Sequence, residues 1–118
     1  MTPELIDHFR NPRNVGDLPT PAASIEVSNP ICGDILRLSV LIEEGRITQA
    51  RYKVRGCAAS IGTGSALTEL LIGRTINELK SITRDQIEKA VGGLSNESKH
   101  AAQLCKDALT QITAGRAV

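Results

Sequence analysis

Hydrophobic positions alternate with polar ones along two stretches of the chain and recur every three to four residues along several others. Residues 34–43 set Leu36, Leu38, Val40 and Ile42 against Arg37, Ser39 and Glu43, and residues 46–55 set Ile47, Tyr52 and Val54 among polar partners; both predict half-buried strands. Glu44-Gly45 between them predicts a tight hairpin turn, and residues 23–28 predict a shorter strand before the pair. Residues 2–10 predict a helix, with Thr2 as its cap, Pro3 at its first position and Leu5, Ile6 and Phe9 on one face. The loop after it holds three of the five prolines. Small residues then run from 57 into Leu67, Leu70, Leu71 and Ile72, predicting a helix that stops at Gly73. Two short helices are expected at 75–80 and 83–91, each opening on a threonine. The last helix, 96–114, carries Ala101, Leu104, Cys105, Ala108, Leu109 and Ile112 at a 3.6-residue period. Strands first and helices last make the expected fold α+β: a small antiparallel sheet of about three strands, helices on one face, and a long C-terminal helix. Residues 1–118 are expected to form one domain.

Composition narrows the function classes. A net charge of +1 supplies no general field for nucleic acid or anionic lipid, and Phe9 and Tyr52 are the only aromatics, too few to stack bases. No apolar run approaches the roughly 20 residues of a membrane helix, and the opening MTPELIDHFR has no signal-peptide core. Three cysteines without a secretion signal point to reduced thiols and a cytoplasmic location rather than a disulfide framework.

Those cysteines concentrate the candidate chemistry. Cys32 lies in NPICGD, where Pro30 sets an extended approach and Gly33 permits a turn, so the thiol can leave the backbone at a strand end. Asp34, two residues on, offers a carboxylate for a cation; its plainer role is to cap the turn. Cys57 lies in RGCAAS at a strand-to-helix junction, where the positive end of the helix dipole favours thiolate. Cys105 falls on the apolar stripe of the last helix and reads first as a small buried hydrophobe, a reading also open to the other two. His100 opens that helix just off the stripe, and is either a solvated histidine or a ligand. No CxxC pair strengthens a zinc signal.

Taken together, NPICGD, RGCAASIGTGSALTELLIGRT, KHAAQLCKDAL and the opening HFRNPRNVG resemble the IscU/SufU/NifU-type iron–sulfur cluster assembly scaffolds, over almost the whole chain. Gly56, Cys57, Ser60, Ile61, Ser65, Thr68 and Glu69 fall at family-like positions without a gap. The resemblance implies a non-enzymatic scaffold that binds iron, assembles a cluster of the [2Fe–2S] type through cysteine ligands, and passes it to carriers or acceptor apoproteins. It implies a cysteine desulfurase as sulfur donor, no nucleic-acid or membrane partner, and a monomer or weak dimer. Its ligand set falls on Cys32, Asp34, Cys57 and His100.

The chain departs from the family where a third cysteine would follow His100. Ala101 stands there, and the nearest thiol is Cys105. Either Cys105 is a displaced ligand reached by a shifted helix start, or the site consists of the other four residues with mixed sulfur, nitrogen and oxygen donors that suit zinc or iron. A second departure is LSNESK in place of the Leu-Pro-Pro-Val-Lys segment that IscU-type scaffolds offer to an Hsp70 chaperone. The insertion typical of SufU-type proteins is also missing. Besides the cluster scaffold, two alternatives stand: a zinc-bound sulfur acceptor of SufU type working in persulfide transfer, and a degenerate scaffold that acts only as a binding module. A Cys–His hydrolase is more remote, because Asp34 so near Cys32 suits a metal better.

Overall fold

The computed structural model describes residues 1–31 and 33–115. Cys32 therefore lies outside the described residues. Elements follow in the order α1 (Pro3–Arg10), β1 (Ala23–Ser28), β2 (Ile35–Glu43), β3 (Arg46–Arg55), α2 (Ala58–Leu71), α3 (Ile76–Lys80), α4 (Arg84–Ala90), a 3₁₀ turn (Asn96–Ser98) and α5 (Lys99–Thr113). The three strands form one antiparallel sheet in the order β1-β2-β3. The expected α+β architecture is the one observed, with helices on one face and the longest helix last. The two outer helix bounds tighten: the last helix begins as a 3₁₀ turn before Lys99, and Cys57 is the cap of α2 rather than its first residue.

Local chemistry explains the boundaries. Glu44 and Gly45 both take positive φ, 52° and 80°, the left-handed pair that a two-residue hairpin between Glu43 and Arg46 requires. Thr2 caps α1 by accepting the Leu5 N–H at 3.0 Å, and its hydroxyl donates to the Val91 carbonyl. Thr75 and Thr83 each form a complete capping box, with Glu78 and Gln86 returning the hydrogen bond.

The inner sheet face carries Leu36, Leu38, Val40 and Tyr52, all buried, and the stripe of α5 from Leu104 to Ile112 packs into the same core as Leu67 and Leu71 of α2. Helix α2 lies between α1 and β3 and is buried on nearly every side. Its glycines set these distances. A Cβ on Gly62 would sit 2.6 Å from Leu5 Cδ1, and one on Gly64 would sit 2.6 Å from the Tyr52 ring. The buried Tyr52 hydroxyl donates to the Ile61 carbonyl at 2.6 Å. The outer sheet face is polar, with Asp17 bridging Arg37 and Lys53. No helix among the described residues is long and apolar enough to cross a membrane.

The loop between α1 and β1 is pinned to α2. Ser65 Oγ accepts the Arg13 N–H at 2.8 Å and lies 2.8 Å from His8 Nδ1. Asn14 Nδ2 donates to Thr68 Oγ1, and His8 Nε2 lies 3.5 Å from Glu69 Oε1. Arg13 Nη1 can only donate, so His8 Nδ1 accepts and the ring proton sits on Nε2, facing Glu69.

Candidate metal centre

Three elements end at one place. Asp34 immediately precedes β2, Cys57 joins β3 to α2, and His100 lies in the first turn of α5. The β2–β3 pairing of Ile35 with Arg55 brings the first two junctions side by side, and α5 closes over them. Asp34, Cys57 and His100 each offer one ligand atom, and these atoms all lie within 4.8 Å of one another. Cys57 Sγ is 3.4 Å from Asp34 Oδ2 and 3.5 Å from His100 Nε2, and His100 Nε2 is 3.5 Å from Asp34 Oδ2.

That near-equilateral triangle fits one face of a four-coordinate cation site. Bonds of about 2.3 Å to sulfur and about 2.0–2.1 Å to nitrogen and oxygen place the donor atoms of a tetrahedron about 3.3–3.6 Å apart. The imidazole is set for it. His100 Nδ1 lies 2.9 Å from the Glu97 carbonyl, which can only accept, so Nδ1 carries a proton and Nε2 is the ring nitrogen that faces the other two donors and would ligate a cation there. The Cys57 thiol is exposed, whereas the carboxylate is buried. Burial acts to raise the Asp34 pKa, but hydrogen bonds from Ser60 and from the Cys57 thiol and backbone, with His100 nearby, outweigh it and hold the carboxyl below its ordinary value.

Of the sequence candidates, three are brought together. Cys105 does not join them: it is buried in α5 within the sheet–helix core, and burial pushes its thiol up to about 12. Reaching the site from there would mean unwinding the first turns of α5. Ala101, where the family's third cysteine would stand, is also buried, in a small apolar cluster with Leu5, Ala59, Ala66 and Val91. Two contributors were not assigned a role from sequence. Ser60 donates to Asp34 Oδ2 at 2.6 Å, and its spacing of one helical turn from Cys57 was the available signal. Glu97 acts through its backbone carbonyl, which leaves no side-chain signal.

A small α+β fold whose sheet end gathers a thiol, a carboxylate and an imidazole defines a scaffold-type protein with a mixed-donor metal-binding site. Residues 1–115 match the NifU-like N terminal domain family. The iron–sulfur cluster assembly scaffold protein IscU 1 of Archaeoglobus fulgidus is 41% identical over 106 residues, covering 90% of this chain and 69% of that protein. The scaffold protein IscU of Azotobacter vinelandii is 36% identical over 110 residues, covering 90% and 85%. The N-terminal NifU-like protein of Brucella abortus shares the fold, with a TM-score of 0.63 at 20% identity over 94% of this chain and 78% of that one. The chain belongs to the NifU/IscU/SufU family of iron–sulfur cluster assembly scaffolds.

Proposed function

We propose that this scaffold holds one divalent cation, zinc or ferrous iron, on Asp34, Cys57 and His100, with Cys32 as fourth donor on the strength of the sequence, and receives sulfur there from a cysteine desulfurase. The observation that carries this reading is the donor triangle, whose edges of 3.4, 3.5 and 3.5 Å match the face of a tetrahedral site. The sulfur step is a thiol–persulfide exchange. Cys57 thiolate attacks the terminal sulfur of the donor's persulfide, the donor S–S bond breaks, the donor cysteine leaves as thiolate, and Cys57 carries the new persulfide with no net oxidation. The exposure of Cys57 gives a partner access to it, and work of this kind suits a carrier in a reducing compartment such as the cytoplasm better than an enzyme with its own turnover.

A second reading keeps the name carried by the relatives. They are called iron–sulfur cluster assembly scaffolds, and the same four residues make up the four protein ligands of a [2Fe–2S] unit bound for acceptor apoproteins. Anaerobic iron and sulfide reconstitution separates the two. The first reading expects bound metal with no acid-labile sulfide and no sulfur-to-iron absorption, together with a desulfurase-dependent mass gain of one sulfur on Cys57. A stable coloured species containing two irons and two sulfides establishes the second. Metal content unaffected by Cys57→Ser rejects both and leaves a binding module.

A further inference from the structure

The carboxylate at the centre of the site is held by two residues outside the set of donors. Gly56 is the closer. A Cβ built on it would lie 2.5 Å from Asp34 Cγ, 2.6 Å from Oδ1 and 2.8 Å from Oδ2, inside contact distance of the whole carboxylate. Its φ is not in the left-handed region, so the backbone tolerates any residue and the space alone demands glycine. Ser60 is 2% exposed and donates its only hydroxyl proton to Asp34 Oδ2 at 2.6 Å, while Asp34 is itself 6% exposed. The Asn29 N–H fixes the Asp34 carbonyl at 2.9 Å, so the remaining freedom of the residue lies in its side-chain torsions.

We infer that Gly56 and Ser60 are positioning residues of this metal centre and act through Asp34: Gly56 leaves the space in which the carboxylate lies, and Ser60 turns Oδ2 toward Cys57 and His100. The inference rests on the cation-site reading proposed above. Oδ2 takes hydrogen bonds from both Ser60 and the Cys57 thiol, and Ser60 Oγ also lies 3.4 Å from Cys57 Sγ. Once a cation replaces the thiol proton, Ser60 is the side chain that still orients the oxygen. Outer partners of this kind are worth about 10–100-fold in metal affinity.

The test uses the full chain with Co²⁺ as probe, affinity measured by chelator competition, and the thiolate-to-cobalt and d–d bands recorded. Ser60→Ala and Gly56→Ala are each expected to weaken Co²⁺ about 10–100-fold, shifting the d–d bands while the thiolate band persists. In an Asp34→Ala background, where the carboxylate is already gone, each is expected to cost less than about twofold, because residues acting through one partner do not add. Thermal melts of the metal-free variants establish folding, and if Gly56→Ala does not fold, Ser60→Ala carries the test. A variant that keeps wild-type affinity overturns its own assignment. Equal losses with and without Asp34 overturn the mechanism. Wild-type protein that does not bind Co²⁺ fails differently: it removes the cation-site reading, and the inference with it.

Discussion

Replacing Cys105 by serine asks whether the one remaining thiol of the last helix serves the site or the core. The side chain is 2% exposed, and its thiol stays protonated at neutral pH because burial lifts it to about 12. A hydroxyl placed there without a partner costs about 1–3 kcal/mol. A bond to the carbonyl one helical turn back recovers part of that, leaving about 1–2 kcal/mol. For a domain of this size each kcal/mol lowers the melting temperature by about 3–6 °C, so the metal-free Cys105→Ser protein should melt about 3–12 °C below wild type. Its affinity for zinc or cobalt should stay within about twofold, since distant sites behave independently. Mapping by mass spectrometry after iodoacetamide at neutral pH should find Cys57 alkylated and Cys105 untouched until the protein is denatured. An unchanged melting temperature with a tenfold loss of metal affinity, about 1.4 kcal/mol, would refute the reasoning and make Cys105 a ligand.

Further outcomes follow from the same geometry. Burial, and then the charge of Arg13, hold the His8 pKa below its ordinary 6.5 against the pull of Glu69. The unfolded chain therefore binds the extra proton first, so the His8 contribution is complete above about pH 6.5 and is lost as pH falls from there through the folded value. Urea midpoints between pH 7.5 and 5.5 should fall in wild type and flatten in His8→Asn; parallel slopes would discard the assignment. Gly64→Ala should destabilise by about 1–3 kcal/mol, because its new methyl meets the Tyr52 ring at 2.6 Å, and denaturant unfolding reads this directly. Cobalt affinity should fall as pH is lowered, because the donors must shed protons before they ligate, and isothermal titration in two buffers should register proton release on binding.

Most of the fold was legible in the sequence because its signals are local. Thr75 with Glu78 and Thr83 with Gln86 announce their capping boxes within four residues, and Glu44-Gly45 announces its turn within two. The stripe from Ala101 to Ile112 points Cys105 into the core by helical period alone. Helix α2 was legible as a helix but not as the centre of the molecule: buried on nearly all sides, it has no polar face for a periodicity to mark, and its small residues gain meaning only from Leu5 and Tyr52 packed against them. The site divides in the same way. Motifs named Asp34, Cys57 and His100, yet Cys57 stands 23 residues from Asp34 and 43 from His100, so their separation of a few ångströms is decided by strand register and by the docking of α5. The tertiary structure alone decides that Gly56 must leave room for a carboxylate, that Ser60 orients it, and that the carbonyl of Glu97 selects the imidazole tautomer. Sequence carries what depends on neighbours along the chain, whereas the direction of a lone pair and the room for one carboxylate depend on neighbours in space.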